Sequence, residues 1–117
     1  MSLIIYHNPH CSKSRRTLDL IKEQNIKPEI ILYLKNTPSA DELLYVAKTL
    51  MMDIKDILRK NEVEFKEARD LPCLNDNNAM SIWLEKHPKV MQRPIVINKN
   101  KNKGVIARPP GNISTIL

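Results

Sequence analysis

The chain has 117 residues, of which 42% are hydrophobic, and a formal net charge of +6. This length and composition predict one domain with a single ordinary core. No apolar run approaches the roughly 20 residues needed to span a bilayer, so we expect a cytoplasmic protein without a membrane partner.

The positive charge predicts an anionic partner, and charge alone leaves open a small oxyanion, an acidic protein surface or nucleic acid. Aromatic residues make up only 4% of the chain and do not alternate with the basic ones. The sequence therefore offers no stacking platform for a single strand, and we expect no nucleic-acid partner. With two glycines, the chain also lacks a glycine-rich loop for nucleotide phosphates.

The first 35 residues predict a β-α-β unit. An apolar run at residues 3–6 indicates a buried strand, and residues 12–24 have the hydrophobic spacing of a helix. The run at 30–34 is apolar on both alternating faces, which predicts a second strand covered on both sides. A crossover of this length makes the two strands parallel.

The middle of the chain, about residues 37–90, predicts a helical insertion. Ser39 and Glu42 are spaced as a capping box, which predicts the start of a helix there. Shorter helices are expected after Asp53 and over residues 63–68, and a longer one over 76–86, where Ala79, Ile82 and Trp83 recur at helical spacing.

The tail predicts a β-hairpin from residues 94–97 and 105–107, followed by a last helical turn over 113–117. The complete order of elements predicts an α/β fold with a small mixed sheet. Thioredoxin-like folds have this order, with their active-site cysteine after the first strand. Cys11 occupies that position.

Cys11 is the candidate nucleophile. It falls at the turn from strand to helix, among polar and cationic neighbours that include His7, His10 and Arg15. Free backbone N–H groups at a helix start and nearby cations both favour the thiolate. We therefore expect a reactive Cys11, with His7 supplying a hydrogen bond or positive charge and Arg15 supporting it.

Ser14 occupies the position where a second cysteine would make a local disulfide, so the predicted site is monothiol. A product formed on Cys11 then needs either Cys73 or an external thiol to resolve it. His7, His10 and Cys11 lie together across a proline turn without a distant fourth ligand, which matches no usual zinc spacing. We therefore predict no metal site.

Arg93 and Arg108 each precede a proline at the edge of a predicted strand. Proline restricts the backbone of the preceding residue, so a fold can aim such a side chain. Guanidinium groups that converge on a thiolate would bind a tetrahedral oxyanion through paired hydrogen bonds and stabilise its charge. Such an arrangement would suit an oxyanion substrate.

The chain contains five separated motifs: His-Asn-Pro-His-Cys-Ser-Lys-Ser-Arg at 7–15, Ile-Leu-Tyr-Leu at 31–34, Leu-Arg-Lys-Asn at 58–61, Arg-Pro-Ile-Val at 93–96 and Arg-Pro at 108–109. Together, in matching order and nearly from end to end, they resemble the glutaredoxin-linked arsenate reductase family.

The resemblance implies a thioredoxin-like core with an inserted helical region. It also implies a cytoplasmic enzyme that reduces arsenate to arsenite without a bound cofactor, with glutathione as co-substrate and glutaredoxin as partner. The roles it implies are a nucleophile, two activating neighbours, three oxyanion-binding arginines and a cis-proline: Cys11; His7 and Ser14; Arg59, Arg93 and Arg108; and Pro94.

Two other functions are also compatible with the sequence. Spx-like transcription regulators, which bind RNA polymerase and sense oxidation, resemble the chain in fold, but their usual Cys-x-x-Cys pair is broken here by Ser14. A monothiol, glutathione-dependent oxidoreductase with a substrate other than arsenate would also suit the motifs.

Overall fold

The computed structural model describes residues 2–117. The chain divides into two compact units, the first made of the described residues up to Asn36 together with Arg93–Leu117, and the second of Thr37–Gln92. The assignment of the whole chain to one domain with a helical insertion stays a prediction.

The first unit contains a mixed four-stranded sheet with strand order β2-β1-β3-β4. The strands are β1 (Leu3–Tyr6), β2 (Glu29–Ile31), β3 (Ile95–Asn98) and β4 (Lys103–Ile106). β1 pairs with β2 in parallel and with β3 antiparallel, and β3 pairs antiparallel with β4. The predicted parallel pair, the hairpin and the small mixed sheet are all confirmed.

The second strand differs from its prediction. β2 ends at Ile31, because the Leu32 carbonyl accepts hydrogen bonds from the backbone N–H groups of Lys35 (2.9 Å) and Asn36 (2.8 Å), which closes a turn. The prediction of a strand covered on both faces is wrong, since β2 lies at the sheet edge and Ile30 is 44% exposed.

One long helix covers the sheet of the first unit. α1 (Ser12–Glu23) begins after Cys11 and ends before Asn25, whose φ of 60° is incompatible with a further helical turn. Near the C-terminus, residues Pro110–Thr115 form a 3₁₀ helix that contacts α1. The buried core between them and the sheet contains Leu3, Ile5, Ile21, Val96, Ala107, Ile113 and Ile116.

The second unit is mainly helical. It contains α2 (Ala40–Leu50), α3 (Val63–Lys66), α4 (Asn77–Lys86) and 3₁₀ helices at Ile54–Ile57 and Pro88–Val90. The predicted start of α2 is confirmed.

Two details of this unit explain how its helices are set. At the start of α2, the Ser39 hydroxyl accepts the Glu42 N–H at 3.1 Å. The face of α4 differs from its predicted spacing, because Met80, Trp83 and Leu84 are buried whereas Ile82 is 53% exposed. None of the helices within residues 2–117 is long and apolar enough to cross a membrane.

Candidate active site

The candidate site lies at one end of the first unit's sheet, where three strands begin or end together. Tyr6, the last residue of β1, pairs with Ile95, the first of β3, and Ile95 pairs with Ile106, the last of β4. β1 is followed at this end of the sheet by residues 7–11, which we call the Cys11 loop. β3 begins and β4 ends at the same end of the sheet.

Arg93 and Arg108 therefore lie at the end of the sheet from which the Cys11 loop projects. Arg93 lies two residues before β3 begins, and Arg108 lies two residues after β4 ends. The two segments are joined directly, because Nη1 of Arg108 donates to the Arg93 carbonyl at 3.1 Å and the Ala107 N–H donates to the Pro94 carbonyl at 3.0 Å.

Arg93 carries an unusual pair of donors. Its Nε and Nη1 are buried and have no hydrogen-bond partner among the residues that the structure describes. A buried charged donor without a partner is costly, and proteins usually satisfy it. A bound anion would supply the missing acceptors, and the oxyanion-binding role of Arg93 stays a prediction.

The peptide bonds Arg93–Pro94 and Arg108–Pro109 are both cis. The first falls on the proline that the family resemblance singles out. The second is not anticipated by the sequence analysis, although the two Arg-Pro pairs are locally alike.

Cys11 lies at the start of α1 as a half-buried free thiol. Its N–H donates to the Asn8 carbonyl and its own carbonyl accepts the Arg15 N–H, both at 3.0 Å. The first turn of α1 contains no acidic side chain, so nothing there opposes the stabilisation of an anion by the helix N-terminus. Nη1 of Arg15 donates to the Pro9 carbonyl at 2.8 Å and so fastens the loop to the helix.

Ser14 holds the Cys11 loop from inside. The side chain is fully buried, and its Oγ accepts the Asn8 N–H at 3.0 Å and lies 2.5 Å from Nδ1 of His7. One hydroxyl in the first turn of α1 thus joins two residues of the Cys11 loop. Its two partners hold it in place, which suits a supporting role for this side chain.

His7, the first residue after β1, is buried. Burial is the main cause that lowers its pKa below the ordinary value, and the charges of Lys22 and Arg15 lower it further. The neutral imidazole is therefore favoured, which suits a hydrogen-bonding role better than a cationic one. The activating role of His7 toward Cys11 stays a prediction.

Asn8 is a loop residue that the sequence analysis did not single out. Its Oδ1 accepts the His10 N–H at 3.0 Å, while its main-chain groups bond to Cys11 and Ser14. Asparagine before proline is a turn signal, and that signal was sufficient to find this residue.

Two predicted residues belong to the second unit. The Arg59 guanidinium pairs with the Glu62 carboxylate at 3.0 Å, and the Arg59 N–H donates to the Val90 carbonyl. Cys73 is an exposed free thiol. The oxyanion-binding role of Arg59 stays a prediction, and resolution of Cys11 by Cys73 stays the alternative to an external thiol.

Across residues 2–117, no group of three or more His, Cys, Asp and Glu side chains is placed to hold a metal ion. The functional groups at this end of the sheet are a thiol, a buried serine–histidine pair and two arginines.

Comparison with known proteins identifies the family. The sequence profile of the ArsC family matches residues 6–116. An arsenate reductase of Haemophilus influenzae is 42% identical over 118 residues, which cover 100% of both chains. An arsenate reductase of Escherichia coli is 37% identical over 119 residues, covering 99% of this chain and 81% of that protein.

The solved structure of an arsenate reductase from Vibrio cholerae superposes with a TM-score of 0.87 at 36% identity, covering 100% of this chain and 98% of that one. The thioredoxin-like α/β fold that the resemblance implied is confirmed. The profile and the full-length relatives agree over nearly every residue, and the chain belongs to the ArsC family.

Proposed function

We propose that this protein is an arsenate reductase that uses Cys11 as nucleophile, glutathione as co-substrate and glutaredoxin as the partner that completes the cycle. The observation that carries the proposal is the Arg93 guanidinium, whose buried Nε and Nη1 lack acceptors in the described chain. It lies at the end of the sheet from which the Cys11 loop projects. The arsenate reductases among the full-length relatives support the same substrate.

In the first step, the Cys11 thiolate attacks arsenic(V), and one arsenate hydroxyl leaves as water after it takes up a proton. A sulfur–arsenic bond forms and arsenic remains in the +5 state. Arg93 and Arg108 offset the negative charge of the oxyanion while it exchanges its ligand. Guanidinium groups suit this task, because they bind oxyanions through two parallel hydrogen bonds.

In the second step, the glutathione thiolate attacks the Cys11 sulfur and the sulfur–arsenic bond breaks. Its electron pair stays on arsenic, which leaves as arsenite in the +3 state. Two thiols lose one electron each, so the balance closes with a mixed disulfide between Cys11 and glutathione. Glutaredoxin then attacks the glutathione sulfur and releases the Cys11 thiolate.

The local sequence favours an external thiol, because it contains no second cysteine for a local disulfide. Ser14 takes the position of a second cysteine in the first turn of α1, and its hydroxyl is already engaged with His7 and Asn8. The reductant proposed here is kept reduced in the cytoplasm, so we assign the protein to that compartment.

We extend the oxyanion-binding role to Arg59 on the strength of the family resemblance, and an Arg59→Ala variant is expected to raise the KM for arsenate. The full-length arsenate reductase relatives favour the enzyme over an Spx-like regulator. Ser14 favours it further, because the local disulfide switch of such a regulator needs a second cysteine there.

The proposal is tested by measuring arsenite formed from arsenate in the presence of glutathione and glutaredoxin. Wild-type protein should form arsenite, Cys11→Ser should form none, and Cys73→Ser should turn over like wild type. Absence of arsenite formation by the wild type, or equal formation by Cys11→Ser, would contradict the proposal.

A further inference from the structure

A small cavity opens beside the Cys11 loop. Its volume is about 110 Å³, and it lies between loop residues 7–10 and the segment that follows β2, where Leu32, Leu34 and Lys35 line it. The two walls are fixed to each other, because the His7 N–H donates to the Ile31 carbonyl at 2.8 Å. The cavity therefore belongs to the candidate active site of the first unit.

The walls combine an apolar surface with positive charge. Pro9, Leu32 and Leu34 supply the apolar surface, and Leu34 remains 40% exposed. Lys35 supplies the positive charge, and it makes no ion pair with a carboxylate in residues 2–117. No acidic side chain lines the cavity. This lining is complementary to a ligand with a short aliphatic part and a carboxylate.

The cavity borders the nucleophile along the chain. Pro9 and His10 line it and directly precede Cys11, and consecutive Cα atoms are about 3.8 Å apart. Cavities that enclose a whole drug-sized ligand measure about 300 Å³ or more, so this one takes only one end of a small thiol. The remainder of the ligand, with its sulfur, would extend toward Cys11.

We propose that this cavity binds the carboxylate-bearing end of a small anionic thiol, with the carboxylate on Lys35 and the adjoining methylene groups against Leu34. The inference rests on the proposed function, since it gives the external thiol of that reaction its binding site. It makes Lys35 a specificity residue that favours anionic thiols over neutral ones of similar reactivity.

The kinetic test compares Lys35→Ala and Lys35→Glu with wild type in arsenate reduction. Exposed ion pairs are worth about 0.2–1 kcal/mol, so Lys35→Ala should raise the KM for glutathione up to about fivefold, and the charge reversal should raise it further. The KM for arsenate, and the rate with the neutral thiol 2-mercaptoethanol, should stay at wild-type values.

Lys103→Glu is the matched control. Lys103 is exposed and pairs with Asn98, at the sheet end opposite the Cys11 loop. It makes the same change in net charge and should leave every KM unchanged. An effect equal to that of Lys35→Glu would reduce the finding to a general effect of charge and overturn the proposal.

A second readout does not depend on arsenate. In a Cys73→Ser background, the Cys11 thiolate attacks oxidised glutathione, forms the mixed disulfide and releases one glutathione thiolate. The rate of this exchange should fall in Lys35→Glu, whereas exchange with the neutral hydroxyethyl disulfide should not. This readout decides the cavity assignment even if the protein reduces no arsenate.

Three results would overturn the assignment. The first is equal sensitivity of charged and neutral disulfides to Lys35→Glu, and the second is no effect on either of them. The third is a raised KM for arsenate alone, which would make Lys35 part of the oxyanion site instead.

Discussion

Removal of the Ser14 hydroxyl should be unusually costly for so small a change. The side chain is fully buried, and its Oγ serves both the Asn8 N–H at 3.0 Å and Nδ1 of His7 at 2.5 Å. Ser14→Ala leaves both partners without that oxygen. A buried polar group left unsatisfied costs about 1–3 kcal/mol, so we expect the free energy of unfolding to fall by about 2–4 kcal/mol, out of the roughly 5–15 typical of a domain.

The assay is urea denaturation of Ser14→Ala beside the matched control Ser12→Ala. Ser12 lies on the same helix but is exposed, and such surface changes usually stay within about 0.5 kcal/mol. Amide hydrogen exchange adds a local readout, because the Asn8 N–H should exchange faster only in Ser14→Ala. A Ser14→Ala protein within about 0.5 kcal/mol of wild type, with unchanged Asn8 exchange, would refute the role assigned to this hydroxyl.

Three further outcomes are expected. The pKa of His7 is lowered in the folded protein, so the unfolded chain binds the proton first and the free energy of unfolding should fall as pH drops below about 6.5. His7→Gln should flatten that part of the curve of stability against pH, and an unchanged slope would argue against a neutral His7. Met51 is 93% exposed with φ of 57° at the end of α2, so Met51→Gly should stabilise by about 0.5–1 kcal/mol by urea denaturation, whereas Met52→Gly should not. Arg93→Ala should raise the KM for arsenate at least tenfold in steady-state assays, since it removes a charged, buried donor pair; an unchanged KM would remove Arg93 from the oxyanion site.

Elements whose local pattern agrees with their packing were predictable from the sequence. β1 and the start of α2 follow from an apolar run and a capping serine, respectively, and both are confirmed. β2 shows the limit of that reasoning. Residues 32–34 are as apolar as a strand, but the turn on the Leu32 carbonyl ends the ladder, and apolarity alone does not reveal that turn.

The candidate site was predictable in its residue types and much less so in its geometry. The polar surroundings of Cys11 and the Arg-Pro pairs are visible in the sequence. That they lie at the same end of the sheet depends on the register of β1, β3 and β4. Strand register follows from long-range pairing, which local sequence does not specify. The orphaned donors of Arg93 also depend on burial in the folded chain.

The proposed reaction depends most on the mixed disulfide that arsenate reduction leaves on Cys11. Intact-protein and peptide mass spectrometry, after incubation with arsenate and glutathione but without glutaredoxin, tests it directly. The proposed reaction is expected to leave one glutathionyl group, located on Cys11, only when arsenate is present. A glutathionyl group that forms equally without arsenate, one found on Cys73 instead, or none at all would contradict it.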